Sequence, residues 1–315
     1  MTPFFAMLGL AALTLSSAPA VAAPKVVASI KPVAALVAGV MAGVGTPATI
    51  VGGGQSLHTF SLKPSDAKAL TDADVVFWVG PGLETFLEKP IRALTSGAAV
   101  VALAEAPGVT VLKGRTGGVW EAHADDHGHD HDRGDNDGHD HGDHDIDGHI
   151  WLDPVNAQAM VGAIAVALSE VDAANAAAYA ANAAALRARL AALDAELAAA
   201  LAPVKERPFI VFHDGYQYLE RRYGLNAVGS ITVSPDRVPG ARRIAEIRDK
   251  IKTLQAACVF AEPQFEPKLV QTLIAGTSAR TGTLDPEAAT LPAGPELYFD
   301  MMRALVANLR ACFGA

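Results

Sequence analysis

Eight of the chain's ten histidines fall between Glu121 and His149, in the run EAHADDHGHDHDRGDNDGHDHGDHDIDGH. His123, His127, His129, His131, His139, His141 and His144 alternate there with aspartate and glycine. Imidazoles at such spacing, with carboxylates beside them, capture divalent metal weakly and in many geometries. The run has no apolar periodicity with which to bury a core. Ordering it around an ion costs entropy, so its affinity should fall below that of a preformed site. A solubilising linker with no metal role is the alternative.

Three histidines outside the repeat, or at its edge, carry more information. His58 follows Gly52-Gly53-Gly54-Gln55-Ser56-Leu57, His149 stands in Gly148-His149-Ile150-Trp151-Leu152-Asp153-Pro154, and His213 stands in Phe212-His213-Asp214-Gly215-Tyr216. Each lies where a strand or loop gives way to a helix, a place from which side chains converge on a cleft. Singly, each reads as a structural histidine; together, beside a histidine-rich insert, they read as ligands. Three neutral imidazoles and one oxygen suit tetrahedral Zn²⁺, with Zn–N near about 2.0–2.1 Å. A manganese site would carry more carboxylate.

Other chemistries find less support. The chain has no H-E-x-x-H, no G-x-S-x-G and no phosphate-binding G-x-x-x-x-G-K-[ST]. A zinc hydrolase also uses three protein ligands and an open position, and Glu262 is the one acid to test as its base. The formal charge of −9 is concentrated: from Glu121 to His149 there are eleven acids against Arg133 alone, which leaves the rest near neutral. A near-neutral body lacks the basic face that nucleic-acid binding needs.

Short apolar runs set the elements that must position these residues. Lys25–Ile30, Ala48–Val51, Val75–Val79 and Ala99–Leu103 read as buried strands separated by helices or turns. After the insert, residues 154 to 171 and 172 to 201 are Ala- and Leu-rich, and the second run would be about 45 Å long as one helix. Phe209–Phe212, Ala227–Ile231, Cys258–Ala261 and Thr281–Leu284 begin the pattern again. The expected class is α/β: two lobes, each with a parallel sheet flanked by helices, joined by one long helix, with the site in the cleft. The expected division is a signal peptide at 1–22, a first lobe at 23–171 (with a disordered loop at 121–148), a connecting helix at 172–202 and a second lobe at 203–315.

Residues 1–22 carry no charged side chain and end in Ala20-Val21-Ala22, which reads as a secretory signal cleaved near Ala22. An uncleaved anchor is the alternative. Cys258 and Cys312 are the only cysteines, so none lies near the cleavage site to take a lipid. In an exported protein the two would pair, the alternative being two free thiols. Closing that loop would stabilise by about 4 kcal/mol.

The order of motifs then becomes specific. His58-Thr59-Phe60-Ser61-Leu62-Lys63-Pro64-Ser65-Asp66, Ala73-Asp74-Val75-Val76-Phe77-Trp78-Val79-Gly80-Pro81, His149 to Pro154, Phe212 to Tyr216, Val259-Phe260-Ala261-Glu262-Pro263-Gln264-Phe265 and Gly282-Thr283-Leu284-Asp285-Pro286 follow one another. The chain thereby resembles the zinc ABC-transporter substrate-binding proteins of the ZnuA type, over essentially its whole mature length. That resemblance implies His58 and His149 as ligands from the first lobe, His213 from the second, and a disulfide between Cys258 and Cys312. Some relatives carry an acid where Leu57 stands; related metal-binding proteins use a carboxylate at the place Asp285 takes. Asp285 is therefore the expected fourth ligand, with water as its rival. The implied function is a periplasmic, non-enzymatic carrier, monomeric, that passes Zn²⁺ to an ABC-type permease in the inner membrane. A periplasmic zinc chaperone would be a further partner, and the histidine-rich loop would assist capture or sensing. A manganese carrier or metal-binding adhesin on the same scaffold is the competing reading.

Overall fold

The structure, a computed structural model, describes residues 22–52, 54–115, 120, 146–232, 240–265 and 268–315. The expected signal segment before Ala22 and the histidines from His123 to His144 lie outside the described residues.

In the first lobe, strands β1 (Val26–Ile30), β2 (Ala48–Val51), β3 (Val75–Trp78) and β4 (Ala99–Ala102) alternate with helices α1 (Lys31–Val40), α2 (Pro64–Thr71) and α3 (Thr85–Leu94). Every residue of β1 and β3 is buried, as expected of parallel strands covered on both faces. The sheet is parallel throughout, in the order β2-β1-β3-β4. Two short strands follow, β5 (Leu112–Lys113) and β6 (Ile146–Asp147), which pair antiparallel, Leu112 opposite Asp147. Two residues are too few to show a period in the sequence.

Helices α4 (Pro154–Val171) and α5 (Ala176–Leu201) lie against each other, and α5 also packs on α1 and on the last helix. At 26 residues α5 is about 39 Å long. It is shorter than the expected run from 172 because Asp172 accepts hydrogen bonds from Asn175 Nδ2 and Tyr179 Oη, each at 2.7 Å. That bracing goes with a 3₁₀ turn over Ala173–Asn175 before the α-helix begins. Its buried residues, Tyr179, Ala183, Leu186, Leu190, Leu193, Leu197 and Leu201, recur every three or four positions along one stripe.

The second lobe repeats the first. Strands β7 (Phe209–His213), β8 (Ala227–Thr232), β9 (Cys258–Ala261) and β10 (Arg280–Thr283) alternate with α6 (Gln217–Tyr223), α7 (Ala241–Thr253) and α8 (Lys268–Ile274); α9 (Leu297–Phe313) closes the fold. The order is β10-β9-β7-β8, again all parallel. Each sheet thus has its first strand inside, its second on one side and its third and fourth on the other. The chain changes direction beside β1 and beside β7, and ligands bind at the carboxyl ends of strands at such switch points. Cys258 and Cys312 form a disulfide that ties β9 to α9.

Candidate metal centre

Each of the three histidines is set by its own local device. His58 is the middle residue of a 3₁₀ turn, Leu57–Thr59, whose N-cap Ser56 accepts the His58 N–H through Oγ at 3.3 Å. Leu57, 1% exposed, anchors the turn in the core. His149 precedes a buried 3₁₀ turn, Ile150–Leu152, and α4 starts directly after it, capped by Asp153 on Val155 N–H with Pro154 in the first turn. His213 is the last residue of β7, the inner strand of the second sheet, where it pairs in register with Thr232.

Their rings meet between the lobes. Ring centroids lie 5.8 Å apart for His58 and His149, 5.3 Å for His58 and His213, and 5.1 Å for His149 and His213. One ring nitrogen from each falls within 4.8 Å of the other two. Among the described residues this is the one group of histidine, cysteine and carboxylate side chains close enough to share an ion. His149 and His213 are buried, and His58, partly exposed as a residue, keeps its Nε2 buried.

The hydrogen bonds fix which nitrogens face inward. His149 Nδ1 lies 2.8 Å from Asp147 Oδ1, which also accepts the His149 backbone N–H at 2.9 Å. His213 Nδ1 lies 2.7 Å from Glu262 Oε1, which also accepts Tyr216 Oη at 3.0 Å. With Nδ1 occupied by carboxylates, the Nε2 atoms are left for the ion, the usual arrangement of metal-bound imidazoles. His149 Nε2 and His213 Nε2 face each other at 3.2 Å, and the buried His58 Nε2 has no partner. Ligand nitrogens on a tetrahedral zinc lie about 3.3 Å apart, as follows from Zn–N of about 2.0–2.1 Å. The donor set and the separation of the His149 and His213 nitrogens therefore fit Zn²⁺. Gly215 leaves the room: a Cβ there would stand 2.4 Å from His213 Nε2 and 2.9 Å from His149 Nε2.

Electrostatics divide the three rings. Burial, reinforced by the two neighbouring imidazoles, holds His58 well below the usual histidine range, so it is neutral and ready to ligate at pH 7. Burial would lower His213 too, but the Glu262 carboxylate outweighs it and raises that ring. Glu287, pushed up to about 8 by burial, accepts the Leu57 N–H through Oε2 at 3.2 Å.

Asp285 stands apart from this group. Its Oδ1 accepts Ala289 N–H at 2.8 Å, and its Oδ2 accepts the N–H and Oγ1–H of Thr290 at 3.0 and 2.9 Å. These are the bonds of a turn residue before Pro286. Asp147 and Glu262 were the residues the motifs did not single out as imidazole partners. A D-x-H spacing at Asp147-Gly148-His149 was the available signal for one, and for the other an acid directly after a buried strand. Glu262, the one acid considered as a hydrolytic base, is 3% exposed and committed to His213 and Tyr216.

The family described as "Zinc-uptake complex component A periplasmic" matches residues 26–312. The high-affinity zinc uptake system protein ZnuA of Brucella abortus (strain 2308) is 54% identical over 305 residues, covering 91% of each chain. A crystal structure of ZnuA superposes with a TM-score of 0.75 at 26% identity, over 92% of this chain and 99% of that one. The periplasmic zinc-binding protein TroA of Treponema pallidum shares the fold, with a TM-score of 0.76 at 21% identity over 92% and 99%. By the extent of the family match and the identity to ZnuA, this chain belongs to the periplasmic zinc-uptake component A family.

Proposed function

We propose that the chain captures Zn²⁺ in the periplasm and delivers it to an ABC-type permease in the inner membrane. The ion is bound by His58, His149 and His213 through Nε2, with water at the fourth position and Asp285 left to brace its turn. The observation that carries this reading is the meeting of one ring nitrogen from each of three histidines on two lobes, two of the rings backed by buried carboxylates. Exchange at this site alters no bond of a substrate, so the chain acts as carrier and not as catalyst. Residues 23–171 and 203–315 act as the two lobes around the 172–202 connector. The chain works as a monomer after cleavage near Ala22. The histidines from His123 to His144 gather metal for the cleft.

The test is a competitive zinc titration of the mature, oxidised protein lacking residues 124–145. The deletion stops there because Asp147 holds His149. One tight site is expected, and the same protein carrying His58→Ala, His149→Ala and His213→Ala should lose it. Loss of tight binding on deletion alone would move the function to the histidine-rich segment.

A further inference from the structure

The segment after β10, Asp285–Leu291, belongs by sequence to the second lobe, yet first-lobe groups hold it. Trp151 Nε1–H donates to Pro286 O at 2.8 Å. Leu57 N–H donates to Glu287 Oε2 at 3.2 Å. Lys31 Nζ lies 2.5, 3.3 and 2.6 Å from the carbonyl oxygens of Ala288, Ala289 and Leu291. An ammonium has three protons to place, and here each has a backbone acceptor. Ala288 takes a left-handed φ of 54°, a conformation that costs energy without glycine. Asp285 braces the same turn from within, so the segment is a built element.

The attachment points lie beside the first-lobe histidines. Leu57 directly precedes His58, and Trp151 follows His149 by two residues. Tyr298 Oη, from α9, fixes the Trp151 carbonyl at 2.7 Å. Lys31 follows β1 directly, at the carboxyl end of the inner strand. None of these bonds involves an imidazole, so three-histidine coordination does not account for them. They do account for how two ligands on separate turns of one lobe keep register with His213 on the other.

We propose that Asp285–Leu291 is a clasp that holds His58 and His149 at the spacing the ion requires, with Lys31 as its fastening and a positioning residue for zinc binding. This rests on the three-histidine site. With the clasp undone, each histidine keeps its own turn but loses its fixed distance from His213, and the ion leaves faster.

Lys31→Met keeps the length of the side chain and removes the donors; Lys31→Arg returns donors. In the mature, oxidised protein, three quantities are compared: zinc affinity, the rate of zinc release to a chelator, and the visible absorption of the Co²⁺-loaded site. Lys31→Met is expected to release zinc at least tenfold faster and to change the Co²⁺ spectrum, with Lys31→Arg recovering most of both. Should Lys31→Met not fold, Glu287→Ala, which frees only the Leu57 N–H, is read the same way. Wild-type release and an unchanged Co²⁺ spectrum in the variant that folds overturn the clasp. So does faster release with an unchanged spectrum, which is general loosening. If the wild-type protein itself binds neither ion at the three histidines, the proposed function fails first, and the clasp with it.

Discussion

Replacing Glu262 by glutamine separates the two roles of a carboxylate behind a metal-bound imidazole. Glu262 Oε1 is 2.7 Å from His213 Nδ1, which puts its charge roughly 6–7 Å from an ion bound at Nε2 with Zn–N of about 2.0–2.1 Å. At an effective dielectric of about 20, a single charge and a dication at that separation attract by about 5 kcal/mol, which is a ceiling. Glutamine keeps an oxygen for the Nδ1–H, so only the charge is lost. The expected loss is 10–100-fold in zinc affinity, about 1.4–2.7 kcal/mol, the range for such outer partners.

The sign of the pH dependence sharpens the test. Glu262 raises His213 above the ordinary histidine value of 6.5. As pH falls through that raised value, zinc must displace a proton from Nε2, at a cost of about tenfold in affinity per pH unit from this ring. The glutamine variant has a less basic ring and meets this competition at lower pH. Its deficit against the wild type should therefore be greatest at pH 8 and shrink towards pH 5.5. Competition titrations against a chromophoric chelator across that range measure both quantities. A variant as tight as the wild type at pH 8, or a deficit that grows on acidification, would refute the reasoning.

Gly215→Ala should reduce zinc affinity by at least about 100-fold, because its methyl group would occupy the space between the two facing Nε2 atoms. The same methyl group would push the buried His213 ring, held by Glu262, out of place, so the metal-free protein should also be destabilised, by about 1–3 kcal/mol, and melt below the wild-type temperature. Isothermal titration and a thermal scan check the two halves, and tight binding by this variant would mean the ion sits elsewhere. Reducing the Cys258–Cys312 bridge, which closes 54 residues, should lower unfolding stability in urea by about 4 kcal/mol. A change below about 1 kcal/mol would show that the reduced, unfolded chain keeps the two sulfurs near each other.

Strand positions were legible because each run is short, apolar and bounded by turns: Cys258–Ala261 matches the structure at both ends, and Lys25–Ile30 differs by one residue. The three histidines were legible because each stands at a junction that the strand pattern already marks. Their carboxylate partners were not. Asp147 lies in a stretch where aspartates recur at almost every other position, and only its pairing in β6 opposite Leu112 distinguishes it. Glu262 meets His213 across 49 residues, a distance that no local spacing encodes. Asp285 is a case where motif and local bonding point different ways. Its place in a motif suggested a ligand, while the neighbouring N–H groups of Ala289 and Thr290 had the nearer claim on its oxygens. The clasp bonds were hidden for the same reason as Glu262, since Lys31 and Ala288 lie 257 residues apart.

The long helix α5 carries a mechanical consequence. Asn182, in its first half, donates to the carbonyls of Val40 and Ala42 at the end of α1. Asp194 and Glu196, in its second half, hold Arg222 of α6 and Arg303 of α9. The two lobes are thus fastened to one rod at points about 21 Å apart, the rise from Asn182 to Glu196. A rod gripped in this way resists bending, because a bend would pull its leucine stripe off the helices beneath it. Hinge-like opening of the lobes works against that grip, so the distance between the two halves of the metal site is set by a stiff spacer packed along its length.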